Sequence, residues 1–417
     1  MNLKNRSAWF RGMSIIAVAI VFALFAPILR TAAKKPSPPA LQIQGKINIA
    51  TWDMGNYLRV WEKASQGDTF NLVWTSARCH RYWSIDLGDV TGDGKEDIVG
   101  AMDSYAEGYF QGYFVVYEEG STGYPSYISE PIGRGDSSSV FARKVLVADI
   151  VQDLPGNEIV LMTDNDLAVF KFSNDEFQII AELSTGQQPP PGTFYDITVA
   201  NLDGVGNDEI VVSVFDPGQV WLYKYEAGHL VGPVALEPPD PIGYDTLHIC
   251  QQIRTADING DGYLDIMAFS RGYIDGSWCG SFFNTWVWNS LSESYECKIQ
   301  QIGFLDRIFR FDAADLDADD WAEVVIAGGQ TGIVEVWKWN GAVFVAQPNR
   351  TLVGCMRTLS ISDFGQGPRI ILSGSFPTRS NKSFYLGVFE ASGPNLDLDL
   401  KWKFEGSYYW AGTHGNN

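Results

Sequence analysis

The stretch Ala256-Asp257-Ile258-Asn259-Gly260-Asp261-Gly262-Tyr263-Leu264-Asp265-Ile266-Met267 decides the fold. It begins as a calcium loop of the EF-hand kind does, with oxygen-bearing side chains at positions 1, 3 and 5 and glycine at 6. Position 12 of an EF-hand would need a bidentate Glu, and here it is Ala268. Instead an acid stands at position 9, Asp265, and the flanks are apolar and strand-like. The side chains of Asp257, Asn259, Asp261 and Asp265, with the backbone carbonyl of Tyr263, form a donor set for one hard cation. Gly262 permits the sharp turn that gathers them. The stretch is therefore expected to be a calcium loop between two β-strands. The competing expectation is an Asx-rich turn without metal.

The pattern recurs. Asp89-Val-Thr91-Gly-Asp93-Gly-Lys95-Glu-Asp97 and Asp315-Leu-Asp317-Ala-Asp319-Asp-Trp321-Ala-Glu323 repeat it closely. The Asn201 copy has Val205 where a ligand belongs, the Asp149 copy carries an insertion, and the Asp363 copy is shortened. Successive first positions, 89, 149, 201, 257, 315 and 363, are spaced as the four-stranded blades of a propeller are. An aromatic strand follows each loop at a fixed place: Phe114–Tyr117, Leu167–Phe170, Val220–Tyr223, Trp286–Trp288, Val334–Trp337 and Leu386–Phe389. Leu58–Trp61 is a seventh copy with no acidic loop before it. Their alternation is that of half-buried strands, so these aromatics are assigned to packing between sheets. The tail around Tyr408–Gly412 resembles Arg81–Ile85, so the C-terminus is expected to supply the strand missing from the first blade. The expected fold is all-β, a seven-bladed β-propeller of four-stranded blades over residues 45–417, with the ring closed and no open sheet edge.

The motif Asp-x-[Asn/Asp]-Gly-Asp-Gly-x-x-Asp-Ile, followed by a strand ending like Gly100-Ala101, resembles the FG-GAP/VCBS repeat of the integrin α-subunit head and of exported prokaryotic propellers. The resemblance covers about residues 45–417 and is strongest in the Asp89, Asp257 and Asp315 loops. It implies calcium between strands 1 and 2 of those blades. The positions concerned are Asp89, Thr91, Asp93, Lys95 and Asp97; Asp257, Asn259, Asp261, Tyr263 and Asp265; and Asp315, Asp317, Asp319, Trp321 and Glu323. It also implies recognition on the opposite face, through the 2–3 and 4–1 loops. The segments Ser270–Asn284 and Asp103–Gly112 fall there, and Tyr105, Tyr109, Tyr273, Trp278 and Phe282 are candidate ligand-binding residues.

Net charge is −20. Six bases and no acid lie in the first 35 residues, so the remainder is more acidic still, which disfavours nucleic acid. Met13–Leu29 is uncharged and apolar behind Lys4, Arg6 and Arg11. Residues 1–12 read as a cytoplasmic basic segment, 13–30 as a transmembrane signal-anchor or a cleaved signal peptide, and 31–44 as a Pro-rich linker. The propeller is accordingly expected outside the membrane. Five cysteines are present, of which Cys279 and Cys297, flanking a hairpin, make the best candidate pair. The four histidines lie at no metalloprotease spacing, and no nucleophile elbow or phosphate-binding glycine loop occurs. Arg134-Gly135-Asp136 reads as a polar turn. The sequence thus favours a non-catalytic binding or adhesion module for a protein or glycan, with calcium as its cofactor. An exported enzyme acting on polysaccharide, a lyase or hydrolase, is the alternative.

Overall fold

The computed structural model describes residues 41, 49–52, 56–78, 82–106, 109–132, 141–152, 154–183, 193–215, 218–236, 238, 246–274, 277–301, 309–328, 332–348, 351–352, 355–375, 384–406 and 413–414. The predicted N-terminal segment and Arg134-Gly135-Asp136 lie outside these residues. No helix among the described residues is long and apolar enough to cross a membrane.

Seven antiparallel sheets follow one another along the chain. Blade 1 holds β1 (Ile49–Trp52), β2 (Leu58–Lys63) and β3 (Phe70–Thr75). Blade 2 is β4 (Tyr82–Gly88), β5 (Asp97–Ala106), β6 (Tyr109–Tyr117) and β7 (Tyr127–Ile128). Blade 3 is β8 (Ala142–Ala148), β9 (Glu158–Thr163), β10 (Leu167–Ser173) and β11 (Glu176–Glu182). Blade 4 is β12 (Phe194–Ala200), β13 (Glu209–Val214), β14 (Gln219–Glu226) and β15 (His229–Leu236). Blade 5 is β16 (Thr246–Ala256), β17 (Asp265–Ile274), β18 (Ser277–Asn289) and β19 (Ser294–Gln301). Blade 6 is β20 (Phe309–Ala314), β21 (Glu323–Gly328), β22 (Ile333–Trp339) and β23 (Phe344–Ala346), with β24 (Thr351–Leu352) added to β22. Blade 7 is β25 (Cys355–Asp363), β26 (Pro368–Ser375), β27 (Phe384–Ser392) and β28 (Asp397–Gly406). The last strand, β29 (Thr413–His414), returns to blade 1 and pairs Thr413 with Thr51 and His414 with Ala50.

The first strands of blades 2 to 7 and β29 neighbour one another in a closed circuit, β4–β8–β12–β16–β20–β25–β29–β4. Ring closure by the C-terminus is therefore as expected; the Tyr408–Gly412 segment that the repeat pointed to lies outside the described residues. The aromatic strands are the third in each sheet, and Trp61, Tyr117, Phe170, Tyr223, Trp286, Trp337 and Phe389 are all buried. They pack between adjacent sheets, as Phe114 does against Phe170 and Phe177. Leu41 is wholly buried and exchanges backbone hydrogen bonds with Gly120 and Ser121, tying that residue to the outer part of blade 2.

An innermost strand is a sheet edge, and its channel-facing N–H groups need acceptors. Five successive seams supply partners from side chains. Asp86 Oδ2 accepts from Val147 N at 2.7 Å, and Ser84 Oγ from Val145 N at 3.1 Å. Lys144 Nζ donates to the Ile197 carbonyl at 2.8 Å. Asp196 Oδ2 accepts from Ile253 N, Gln252 Oε1 from Phe311 N, and Asp312 Oδ2 from Ile361 N, at 3.0, 2.8 and 2.7 Å. The charges in this circuit are paired: Lys144 with Asp196 at 2.5 Å, and Arg254 with Asp196 at 3.3 Å and Asp312 at 3.0 Å.

Cys297 is free. It stands opposite Trp286, while Gly280, next to Cys279, stands opposite Gly272 far along the same hairpin. The expected Cys279–Cys297 pair is thereby ruled out, because the strand register separates them.

Two outcomes check the architecture. Removing residues 407–417 deletes β29 and should lower the melting temperature by several degrees, with loosening sensed by Trp52 and Trp61 fluorescence; a wild-type melt would refute closure. Asp312→Ala orphans the Ile361 N–H and one side of Arg254, and should cost about 2–4 kcal/mol in denaturant unfolding.

Candidate functional site: acidic corners and the opposite mouth

In the Asp89, Asp257, Asp315 and Asp363 repeats the position-1 side chain folds the loop around itself. Asp257 Oδ1 accepts from Gly260 N at 2.7 Å and Oδ2 from Gly262 N at 2.8 Å. Asp89 does the same with Gly92 and Gly94 at 2.7 and 2.8 Å. Asp363 Oδ1 accepts from Gly365, Gln366 and Gly367. Two left-handed residues set the turn: Gly260 and Gly262, with φ of 71° and 83°, or Ala318 and Asp320, with φ of 61° and 69°. Gly204 and Gly206 take the same shape in the Asn201 loop, where Asn201 Nδ2 donates to the Gly206 carbonyl. In the four loops that begin with Asp89, Asp257, Asp315 and Asp363 the turn is thus held by Asx hydrogen bonds of the chain itself. Gly260 is needed for a second reason, since a Cβ there would clash with the Trp321 ring of the next blade.

What differs among the loops is charge at the corner where strand 2 begins. The position-9 residue caps the loop: Asp97, Glu158, Glu209, Asp265 and Glu323 each accept a backbone N–H from it. The strand register sets this residue against the third strand, where Phe170, Tyr223 and Trp337 pair with Ile159, Ile210 and Val324. The residue following each of those aromatics is a lysine. Lys171 meets Glu158 at 2.8 Å, Lys224 meets Glu209 at 2.9 Å, and Lys338 meets Glu323 at 3.1 Å. Blade 7 reverses the signs, with Arg369 against Glu390 at 2.9 Å. In blade 2 the same register brings Glu118 to this place, and in blade 5 Val287. Asp97 and Asp265 therefore face no cation from the third strand.

Burial raises three of these corner carboxyls, and Glu323 is pushed up to about 7 even with Lys338 beside it. Burial pushes Asp97 up to about 7 against the hydrogen bonds from Val90 and Thr91, and Glu118 adds repulsion. Burial likewise pushes Asp265 up to about 7, with Asp261 and Asp257 adding to it. At the Lys338 corner, burial would lower the ammonium pKa, but hydrogen bonds to Asp317, Glu323 and Asp319 outweigh it and hold it above its usual range.

The sequence-expected ligand positions lie in three loops on one face of the ring, and among the described residues only the Asp315 loop draws three carboxylates together. Asp93, Lys95, Asp261, Tyr263, Asp317, Asp319 and Trp321 are exposed, Asp89, Thr91, Asp257, Asn259 and Asp315 are half-buried, and Asp97, Asp265 and Glu323 are buried. The Asp89 and Asp257 loops offer oxygen donors with no cation from the third strand, and in the Asp89 loop Lys95 stands 3.9 Å from Asp93. In the Asp315 loop, Asp315, Asp317 and Glu323 bring ligand atoms within 4.8 Å of one another, but Lys338 Nζ already sits among the acids.

Antiparallel strand direction puts the start of strand 1 and the 2–3 connection at the opposite end of the channel. The expected loops there are largely strand. β5 and β6 pair out to Ala106–Tyr109, and β17 and β18 out to Ile274–Ser277. Tyr105, Tyr109, Tyr273 and Trp278 occupy these arms, whereas Phe282 is 5 % exposed and belongs to the core rather than to an exposed loop. Sequence reading missed the residues beside the channel. A β-bulge in the first strand falls between Tyr82 and Ser84, between Ala142 and Lys144, and between Phe194 and Asp196. Bulges re-aim side chains. Trp83 donates to Asp103 and lies edge-on to Phe141 at 6.3 Å. Arg143 pairs with Asp164 and covers the Tyr195 ring at 5.6 Å, and Tyr195 stacks on Phe215 at 6.1 Å. All seven are half-buried. The signal was available, since Trp83, Arg143 and Tyr195 each precede their loop's first residue by the same interval.

No protein-family model matches the chain, and no curated protein does. Solved structures do. A Bacteroides uniformis protein assigned as a 6-phosphogluconolactonase is 10% identical over 88% of this chain and 100% of its own, with a TM-score of 0.56. The periplasmic gluconolactonase of Pseudomonas aeruginosa is 10% identical over 88% and 98%, with a TM-score of 0.51. A dihydro-heme d1 dehydrogenase is 10% identical over 92% and 79%, also at 0.51. At such identity the likeness is one of fold, the propeller.

The raised carboxyls of Asp97 and Asp265 give a pH dependence. The folded chain holds their protons between about pH 4, where the unfolded chain releases them, and about pH 7. Stability conferred by these two groups therefore falls as pH rises through that window. With divalent ions chelated, the melting temperature should be lower at pH 8 than at pH 5.5, and the Asp97→Asn/Asp265→Asn double variant should make the slope shallower, with Glu323 supplying what is left. An unchanged slope would remove these two groups as its source.

Proposed function

We propose that the chain is an exported, non-catalytic binding propeller of the FG-GAP/VCBS type. In this reading calcium braces the Asp89 and Asp257 loops, and a protein or glycan is taken at the opposite mouth. One observation carries the reading. Blades 2 and 5, whose corners face no cation from the third strand, also carry the long arms, with nine cross-strand pairs between strands 2 and 3 in each. Among the described residues the corresponding pairs number four to six in blades 3, 4, 6 and 7. Strand 2 runs from the acidic corner to the arm, so an ion at one end would hold the strand that carries the other. Between the arms, Trp83, Arg143 and Tyr195 offer ring and guanidinium surface held in place by Asp103 and Asp164. Rigid aromatic and arginine side chains of this kind carry most of the energy of recognition surfaces. The acidity of the chain and the apolar Met13–Leu29 run support a place outside the membrane, anchored or released.

Chelation of calcium should lower the melting temperature at pH 8 by several degrees, and an unchanged melt would sink the metal part. Glycan-array and pull-down binding by the full chain should weaken about tenfold or more in Trp83→Ala and in Tyr195→Ala. Undiminished binding by both variants would move recognition away from the mouth.

A further inference from the structure

The Asp315 loop has the fullest acidic donor set of the six and yet departs from the other two. Lys338 Nζ reaches Asp317 Oδ2 at 2.6 Å, Asp319 Oδ2 at 3.1 Å and Glu323 Oε1 at 3.1 Å. These are positions 3, 5 and 9, three of the five that would hold a metal ion. An ammonium has three protons to give, and each here has a carboxylate to receive it. The side chain comes from β22 of the same blade, so the ammonium is present at the site without giving up free translation, as a dissolved ion must. A second cation placed among the same oxygens would lie within a few ångströms of the first and be repelled. A calcium ion also needs six or more oxygens at about 2.3–2.6 Å, and those oxygens are committed to the lysine.

We infer that Lys338 is the resident cation of the Asp315 loop and the residue that excludes a metal ion from it. The same device appears, with fewer acids, where Lys171 bonds Glu158 and the Gly156 carbonyl, and where Lys224 bonds Asp203 and Glu209. The chain thus neutralises one recurring corner in two ways. Three blades use a tethered ammonium against a Glu, long enough to reach it. Two blades carry the shorter Asp opposite Glu118 or Val287 and leave the corner to a cation from solution. The exclusion at Asp315 rests on the calcium reading only for what happens in those two blades.

Lys338→Met frees the Asp317, Asp319 and Glu323 oxygens. Calcium titration of the full chain by calorimetry should then show one more site than the unaltered chain. Terbium emission excited through Trp321, which sits in this loop, should rise several-fold. Asp317→Asn in the unaltered chain should leave the calcium stoichiometry as it was. No added site in Lys338→Met, or a site lost in Asp317→Asn, overturns the inference, and the latter variant decides the matter should Lys338→Met not fold. If the unaltered chain binds no calcium but Lys338→Met binds one ion, the inference stands and the calcium reading of the Asp89 and Asp257 loops falls.

Discussion

The structure depends on the way each innermost strand is satisfied by its neighbour. A propeller sheet has its first strand at the channel, and that strand has a backbone edge with no further strand to pair with. Here a side chain from the preceding blade answers it: Asp86 for Val147, Asp196 for Ile253, Gln252 for Phe311 and Asp312 for Ile361. Each acceptor sits on a strand, and three of the four are the short Asp, so the bond fixes the rotation of one blade against the next. The buried charges brought in by this scheme are then compensated laterally, with Arg254 shared between Asp196 and Asp312. Apolar packing between sheets gives adhesion without a preferred angle, whereas these bonds give the angle.

A second constraint acts at the far end of the first strand. The turn into strand 2 places a buried acid at the corner in five blades. Burying a carboxylate is costly unless a partner is supplied. Lys171, Lys224 and Lys338 supply it from the third strand, and Arg369 with Glu390 solves the same problem with the signs exchanged. The loops also clasp one another, since Asn157 N donates to the Asp89 carbonyl and Ala322 N to the Asp257 carbonyl. Each uncompensated loop is thereby held by a lysine-compensated neighbour.

Much of this was legible in the sequence because repeats average out local noise. The spacing of the loops and the seven aromatic strands fix the number of blades, and the tail's likeness to the start of a blade forecasts closure. Three things were not legible, for separate physical reasons. The hairpin arms read as loops because Ser270–Asn284 and Asp103–Gly112 are rich in Gly, Ser and aromatic residues, which two-residue turns and twisted strands tolerate equally. Cys279 and Cys297 looked adjacent because chain order does not reveal how far along a hairpin two residues lie. The lysines were passed over because a cation's partner across a sheet is set by register, and Lys338 lies 15 residues from Glu323 along the chain.

The arrangement separates two tasks along a single element. Strand 2 of blades 2 and 5 begins at a buried Asp and ends in an arm, so the charge state of the corner and the order of the arm share one backbone. In the blades with a lysine at the corner, strand 2 stops sooner and the cation never leaves. A fixed ammonium suits a strand whose only duty is to pack. An acid with no third-strand cation suits a strand whose order can be made to depend on something outside the chain, and the two arms are where such dependence would be felt.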